Sequence, residues 1–175
     1  MKLFALACIA AAVQAAPASD KMANLPDAPK FLSDTYSGYL SVTETKQLHY
    51  VFTESLDSPS TDPVVIWFNG GPGCSSMLGM MQELGPIVVD DGQDYFKTNP
   101  HPWNERANVL FLESPAGVGW SQAVESDLDT NDMVQSQDAI TALRDFFVKF
   151  PEYLPNGLFV SGESYGGIYV PYLAW

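Results

Sequence analysis

At 175 residues, with 46% hydrophobic and 13% aromatic content, the chain carries enough apolar material for one ordinary globular domain. Its 21 acidic residues against 8 basic ones leave a net charge of −13, which argues against nucleic acid or an anionic membrane surface as a partner, since phosphate binding needs Lys and Arg. The acid excess suits work at low pH, where part of the self-repulsion titrates away.

The first 16 residues read as a secretory signal. Lys2 supplies the positive start, residues 3–13 the apolar run, and Val13-Gln14-Ala15 a small-residue cleavage pattern, with cleavage expected after Ala15 or Ala16. The run is too short to span a bilayer, and no other stretch is a transmembrane candidate. Cys8 leaves with the signal, so Cys74 is the single cysteine of the mature chain. In an oxidising compartment it calls for a partner outside this sequence, or stays a free thiol.

Residues 17–30, polar and Pro-rich, read as an extended leader without structure of its own. One domain is expected over residues 31–175. Residues 37–42 and 47–53 alternate β-formers around Glu44-Thr45-Lys46 and predict a hairpin. A turn-rich loop at 55–63 precedes the apolar run 64–68, a strand buried on both faces. Residues 74–84 are helix-compatible up to Gly85-Pro86, and 91–103 are loop-like. Another buried strand is expected at 109–112.

Asn131 or Asp132 can cap a helix reaching about residue 150, with Met133, Ile140, Leu143, Phe147 and Phe150 on one face and Pro151 as its end. A third buried strand over 158–161 leads into an apolar helix over 165–175, which Pro171 should kink or end. Strands alternating with helices predict an α/β fold, a central sheet layered with helices. The chain stops on Trp175 in mid-element with no capping residue, so the sequence reads as truncated.

Between that third strand and its helix lies Gly162-Glu163-Ser164-Tyr165-Gly166. A G-x-S-x-G arises by chance in roughly one chain of this length in twenty. Here it has the strand–turn–helix context of a nucleophile elbow, in which the serine sits on a strained turn and glycines let neighbouring chain pass close. The helix dipole would point at the place where negative charge develops during acyl transfer.

Trp67-Phe68-Asn69-Gly70-Gly71-Pro72-Gly73-Cys74-Ser75-Ser76 closely resembles the signature of the serine carboxypeptidases, the α/β-hydrolase family of carboxypeptidase Y and cathepsin A. Four more stretches agree in order and separation: Glu83-Leu84-Gly85-Pro86, Asn99-Pro100-His101-Pro102-Trp103-Asn104, the run from Ala107 through Glu113-Ser114-Pro115-Ala116-Gly117-Val118-Gly119 to Ser121, and residues 162–167. Pro102, where serine is common, and Gln122, where tyrosine is common, are small departures. The likeness spans about residues 28–175.

The resemblance implies a mixed, mostly parallel central sheet with flanking helices, cut off after the elbow. It implies Ser164 as nucleophile, the N–H groups of Gly71 and Tyr165 as oxyanion hole, and Asn69, Gly70 N–H, Glu83 and Glu163 as the grip on a substrate's terminal carboxylate. Two acids can hold a carboxylate only if a proton is shared, so binding should be best in acid. By the same resemblance Cys74 would pair with a downstream cysteine that this sequence lacks.

The expected activity is removal of residues from peptide C-termini through an acyl-enzyme, with no metal or cofactor, in the secretory pathway: secreted, or lysosomal or vacuolar. The expected partner is a peptide with a free C-terminus. An acyltransferase on the same scaffold, a non-catalytic binding or scaffold relative and a generic lipase or esterase are the alternatives. In this fold the triad runs Ser, then acid, then His, yet no acid or histidine follows Ser164. His49, in an alternating strand, reads as a surface or cross-strand residue and His101 as loop. The 175 residues alone are therefore expected to be inactive and to expose apolar surface.

Overall fold

The structure, a computed structural model, describes residues 16–175; the signal expected at 1–16, with Cys8, lies outside the described residues except for Ala16. Eight strands and two α-helices follow in order: β1 (Thr35–Ser41), β2 (Lys46–Thr53), β3 (Val64–Phe68), β4 (Ile87–Val88), β5 (Lys97–Thr98), β6 (Asn108–Leu112), β7 (Gln122–Ala123), α1 (Asp132–Lys149), β8 (Leu158–Gly162) and α2 (Gly166–Ala174). The main sheet runs β1-β2-β6-β3-β8, with β7 beside β2. It is mixed: β1, β2 and β7 pair antiparallel, whereas β6, β3 and β8 are parallel.

The strand period of two divides the core between the two faces. Tyr50, Phe52, Ile66, Phe68, Leu110 and Leu112 point to the face covered by Ala139, Ala142, Phe146 and Phe150. Val51, Trp67, Val109 and Phe111 point to the other face, where Met77, Met80 and Leu84 cover them. That is why the 64–68 and 109–112 runs are apolar at every position. Phe146 is the centre of the α1 face, with ring centroids 5.0 Å from Phe52 and 4.9 Å from Phe150.

Asn131 caps α1, its side-chain oxygen accepting from the N–H groups of Met133 and Val134. The buried face differs from the expected one. Leu143 and Phe150 are buried, but Ile140 and Phe147 are only half-buried and Met133 is exposed. Small Ala139 and Ala142 take the sheet-facing positions and let the helix approach closely. Among its buried polar residues, Asp138 accepts from Lys46 Nζ at 2.8 Å.

Among the described residues β8, the expected third buried strand, has β3 as its one partner, which leaves Leu158 and Phe159 exposed. The leader is not loose either. Lys21 bridges to Tyr36, Met22 N–H donates to Thr35 O, and Tyr50 OH donates to Asp20 at 2.8 Å.

Between β3 and β4 the helical turn begins only at Met77, and Gly79–Leu84 is wound as a π-helix. The loop 91–103 contains β5, paired with β4. Helix α2 starts at Gly166 and continues through Pro171 to Ala174, so the proline removes one donor without ending the helix. Among the described residues no helix is long and apolar enough to cross a membrane.

Candidate active site

Parallel pairing is what brings the two motifs together. β3 and β8 run side by side, Phe68 opposite Gly162, and both chains leave the sheet at its carboxyl end, where crevices form in open α/β sheets. Glu163 N–H donates to Phe68 O at 3.2 Å as the strands part. A Cβ on Gly162 would lie 2.7 Å from that same carbonyl oxygen, so only glycine fits there.

Two residues later Ser164 has φ of +53°, in the left-handed region that a residue with a side chain rarely adopts, and it is exposed at the tip of the turn. Such backbone costs on the order of 1–3 kcal/mol and persists where surrounding structure imposes it. Here the restraint is the start of α2: Gly166 N–H bonds Glu163 O at 2.7 Å and Gly167 N–H bonds Ser164 O at 2.9 Å.

The turn after β3 is seated directly on this elbow. A Cβ at Gly70 would lie 2.5 Å from Tyr165 N, 2.7 Å from Glu163 O and 2.9 Å from Ser164 Cβ. Cys74 N–H closes the turn on Gly70 O at 3.0 Å, and Gly71 within it has φ of +112°. Among the described residues neither the Gly71 nor the Tyr165 amide donates a hydrogen bond.

Asn69 is buried, and its side chain makes three hydrogen bonds that leave one of its two amide N–H donors without a partner among the described residues. Its oxygen accepts from Trp67 Nε1 at 2.8 Å and from Gly79 N–H at 3.0 Å, and its nitrogen donates to Glu163 Oε1 at 2.8 Å. Glu83, at the end of the π-helical turns, is held above the usual carboxylate range by partial burial and then by the nearby charge of Glu163. Asn69, Gly70, Glu83, Glu163, Ser164 and Tyr165 thus form one cluster, with Gly71 next in the turn. Cys74, at the end of that turn, is an exposed free thiol.

The histidines lie apart from this cluster in their bonding. His101 is exposed in its loop, its N–H donating to Asn99 at 3.0 Å. His49 is a cross-strand residue as expected, but it is buried rather than on the surface: Nδ1 is 2.9 Å from Glu113 Oε2 and Nε2 is 2.9 Å from Ser37 Oγ.

Glu113 has a structural part that its place in the motif does not announce. Its carboxylate is wholly buried and accepts from Ser75 Oγ, from Trp120 N–H at 2.9 Å and from His49. Burial alone would raise its pKa. The bonds from His49, Ser75 and Trp120 outweigh that and hold the group below the usual range. Because Ser75 directly follows Cys74, Glu113 pins the far end of the glycine-rich turn. An acid directly after the apolar run 109–112 was the signal available in the sequence.

The family model for serine carboxypeptidases matches residues 26–175. The chain is 48% identical over 162 residues to the lysosomal protective protein of Mus musculus, an alignment covering 92% of this chain and 34% of that protein. It is 49% identical over 163 residues to the serine carboxypeptidase ctsa-4.1 of Caenorhabditis elegans, covering 91% and 34%. Among solved structures it resembles Kex1(delta)p, a prohormone-processing carboxypeptidase from Saccharomyces cerevisiae, with a TM-score of 0.74 at 27% identity over 89% of this chain and 38% of that one. The chain thus spans about a third of the length of these curated relatives, 34% in both cases. Its sheet, elbow and glycine-rich turn have the α/β-hydrolase fold, and the chain belongs to the serine carboxypeptidase family.

Proposed function

We propose that the protein is a serine carboxypeptidase that releases residues from the C-termini of peptides, with Ser164 as nucleophile. The observation that carries the reading is the fit of the Gly70 turn against the elbow, which leaves two unengaged amides, those of Gly71 and Tyr165, beside an exposed hydroxyl. Ser164 Oγ attacks the last peptide carbonyl and forms a C–O bond, and the carbonyl oxygen takes up negative charge beside those amides. Collapse breaks the C–N bond and releases the terminal amino acid once its nitrogen is protonated. Water then attacks the ester and restores Ser164. Each oxyanion donor is worth about 2.7–4 kcal/mol in such a step.

Asn69, Gly70 N–H, Glu83 and Glu163 form the grip for the substrate's free carboxylate. The raised pKa of Glu83 beside Glu163 lets one proton be held between the acids, so that a carboxyl can donate to the substrate. Acidic surroundings favour that state, in keeping with a secreted or lysosomal or vacuolar site of action on the secretory route. The proton of Ser164 must pass to a base, and the two histidines at hand are bonded elsewhere. Residues 1–175 by themselves are therefore expected to give no peptidase turnover.

The test is incubation of the full-length protein with a peptide, read by mass spectrometry. Stepwise loss of C-terminal residues, abolished by Ser164→Ala and by amidating the peptide's C-terminus, is expected. Internal cleavage, or turnover that survives Ser164→Ala, would overturn the reading.

A further inference from the structure

Residues 71–74, which carry one of the two unengaged amides, are all exposed, so packing does not hold that stretch in place. Gly71 and Gly73 both have left-handed backbone, with φ of +112° and +85°. Pro72 between them has its φ fixed by its ring. Few free torsions therefore separate the two glycine amides, and whatever holds Gly73 N–H limits where Gly71 N–H can point.

Among the described residues one side chain reaches this stretch by a hydrogen bond: Tyr169 OH accepts from Gly73 N–H at 3.2 Å. An exposed amide finds water readily, so Gly73 N–H does not need a tyrosine to be satisfied. What the phenol adds is a fixed position.

Tyr169 is itself firmly anchored. It is 2% exposed, and its ring lies edge-on to Phe68 at 6.2 Å and to Tyr165 at 5.3 Å between centroids. Phe68 ends β3, from which the turn departs, and Tyr165 carries the second unengaged amide. Tyr169 N–H also bonds Tyr165 O at 3.3 Å, one helical turn back. Phenylalanine would serve this ring packing equally well. The hydroxyl is left with the turn as its one partner among the described residues. Burial pushes the Tyr169 phenol above its usual value, so the hydroxyl stays neutral at acidic and neutral pH.

We infer that Tyr169 is a positioning residue of the oxyanion hole: through Gly73 N–H its hydroxyl holds the Gly71 amide in place relative to the Tyr165 amide. The inference rests on the peptidase reading above and adds the side chain that sets the spacing of the two donors. Tyr169 acts through the turn, on an oxygen that becomes charged only after the substrate is bound. Its contribution therefore belongs to kcat and not to KM. Because the hydroxyl keeps its proton, that contribution does not vary with pH.

The test compares full-length wild-type protein with Tyr169→Phe on an N-blocked dipeptide ending in leucine, with thermal unfolding as a check on folding. The variant should lose about tenfold in kcat with KM within about twofold of wild type. The ratio of the two kcat values should stay constant from about pH 5 to 8. A folded Tyr169→Phe protein with kcat within about twofold of wild type, or with its loss carried by KM, would overturn the inference while leucine release continued. So would a kcat ratio that changes with pH. Loss of folding on removal of this one hydroxyl would overturn it as well, since the role would then be structural. No release of leucine by the wild-type protein would overturn the peptidase reading, and this inference with it.

Discussion

Replacing Gly70 by alanine adds one methyl group where the glycine-rich turn meets the elbow. Gly70 has no unusual φ, so the substitution leaves backbone preference alone and acts through space. The new carbon would lie 2.5 Å from Tyr165 N and 2.9 Å from Ser164 Cβ, where ordinary contact begins at 3.4 Å. Two of the three nearest atoms are backbone, so no side chain can swing aside. Turn and elbow must part by about 0.9 Å, the difference between 2.5 and 3.4 Å.

A misplacement of about 1 Å at a reacting centre costs roughly a hundredfold in rate, and loss of one oxyanion donor costs about 2.7–4 kcal/mol. The expected fall in kcat is therefore about 10²–10³-fold. Steady-state kinetics on a small ester, with thermal unfolding as a check on folding, would measure it. Gly70→Ala protein that stays folded and keeps kcat within twofold of wild type would refute the packing argument.

Four further outcomes follow from the structure. KM for a peptide should rise with pH, since the grip donates through a protonated acid and Glu83, whose pKa is raised, loses that proton as pH climbs through it; a KM flat from about pH 5 to 8 would count against the shared proton. Glu113 has the opposite sign: its pKa is lowered, so its contribution to stability is full above the unfolded value of about 4.3 and is lost as pH falls through the folded one. Glu113→Ala should cost about 3–5 kcal/mol near neutrality in denaturant unfolding, because His49, Ser75 and Trp120 N–H lose their buried acceptor; a cost below about 1 kcal/mol would contradict its pinning role. Phe146→Ala should cost about 3–5 kcal/mol by emptying the centre of the α1 face, and an unchanged unfolding midpoint would place that centre elsewhere.

What could be read from the sequence were features with a local cause. Apolar runs marked β3 and β6, an Asn-Asp pair marked the start of α1, and a glycine-bearing pentapeptide between strand and helix marked the elbow. Parallel pairing of two motif-bearing strands then brings the turn and the elbow together without further information. Long-range choices were not legible. Apolar Leu158 and Phe159 read as buried, and their exposure follows from β8 having one partner strand among the described residues, which local pattern does not contain. The large residues of α1 point to a different face from the one it buries, because small Ala139 and Ala142 do the sheet packing. His49 looked like a strand-surface residue because its partner, Glu113, is 64 residues away and only the folded sheet joins them. The leader looked loose because its ties to Thr35 and Tyr50 are likewise tertiary.

The central claim is that the hydroxyl of Ser164, lifted on its left-handed turn beside two unengaged amides, is an activated nucleophile in the complete protein. A fluorophosphonate probe, which reacts with such serines and not with ordinary ones, tests it directly when the labelled site is mapped by peptide mass spectrometry. A single adduct on Ser164, suppressed by Gly70→Ala, is predicted. An adduct elsewhere, or none on folded full-length protein, would contradict the account.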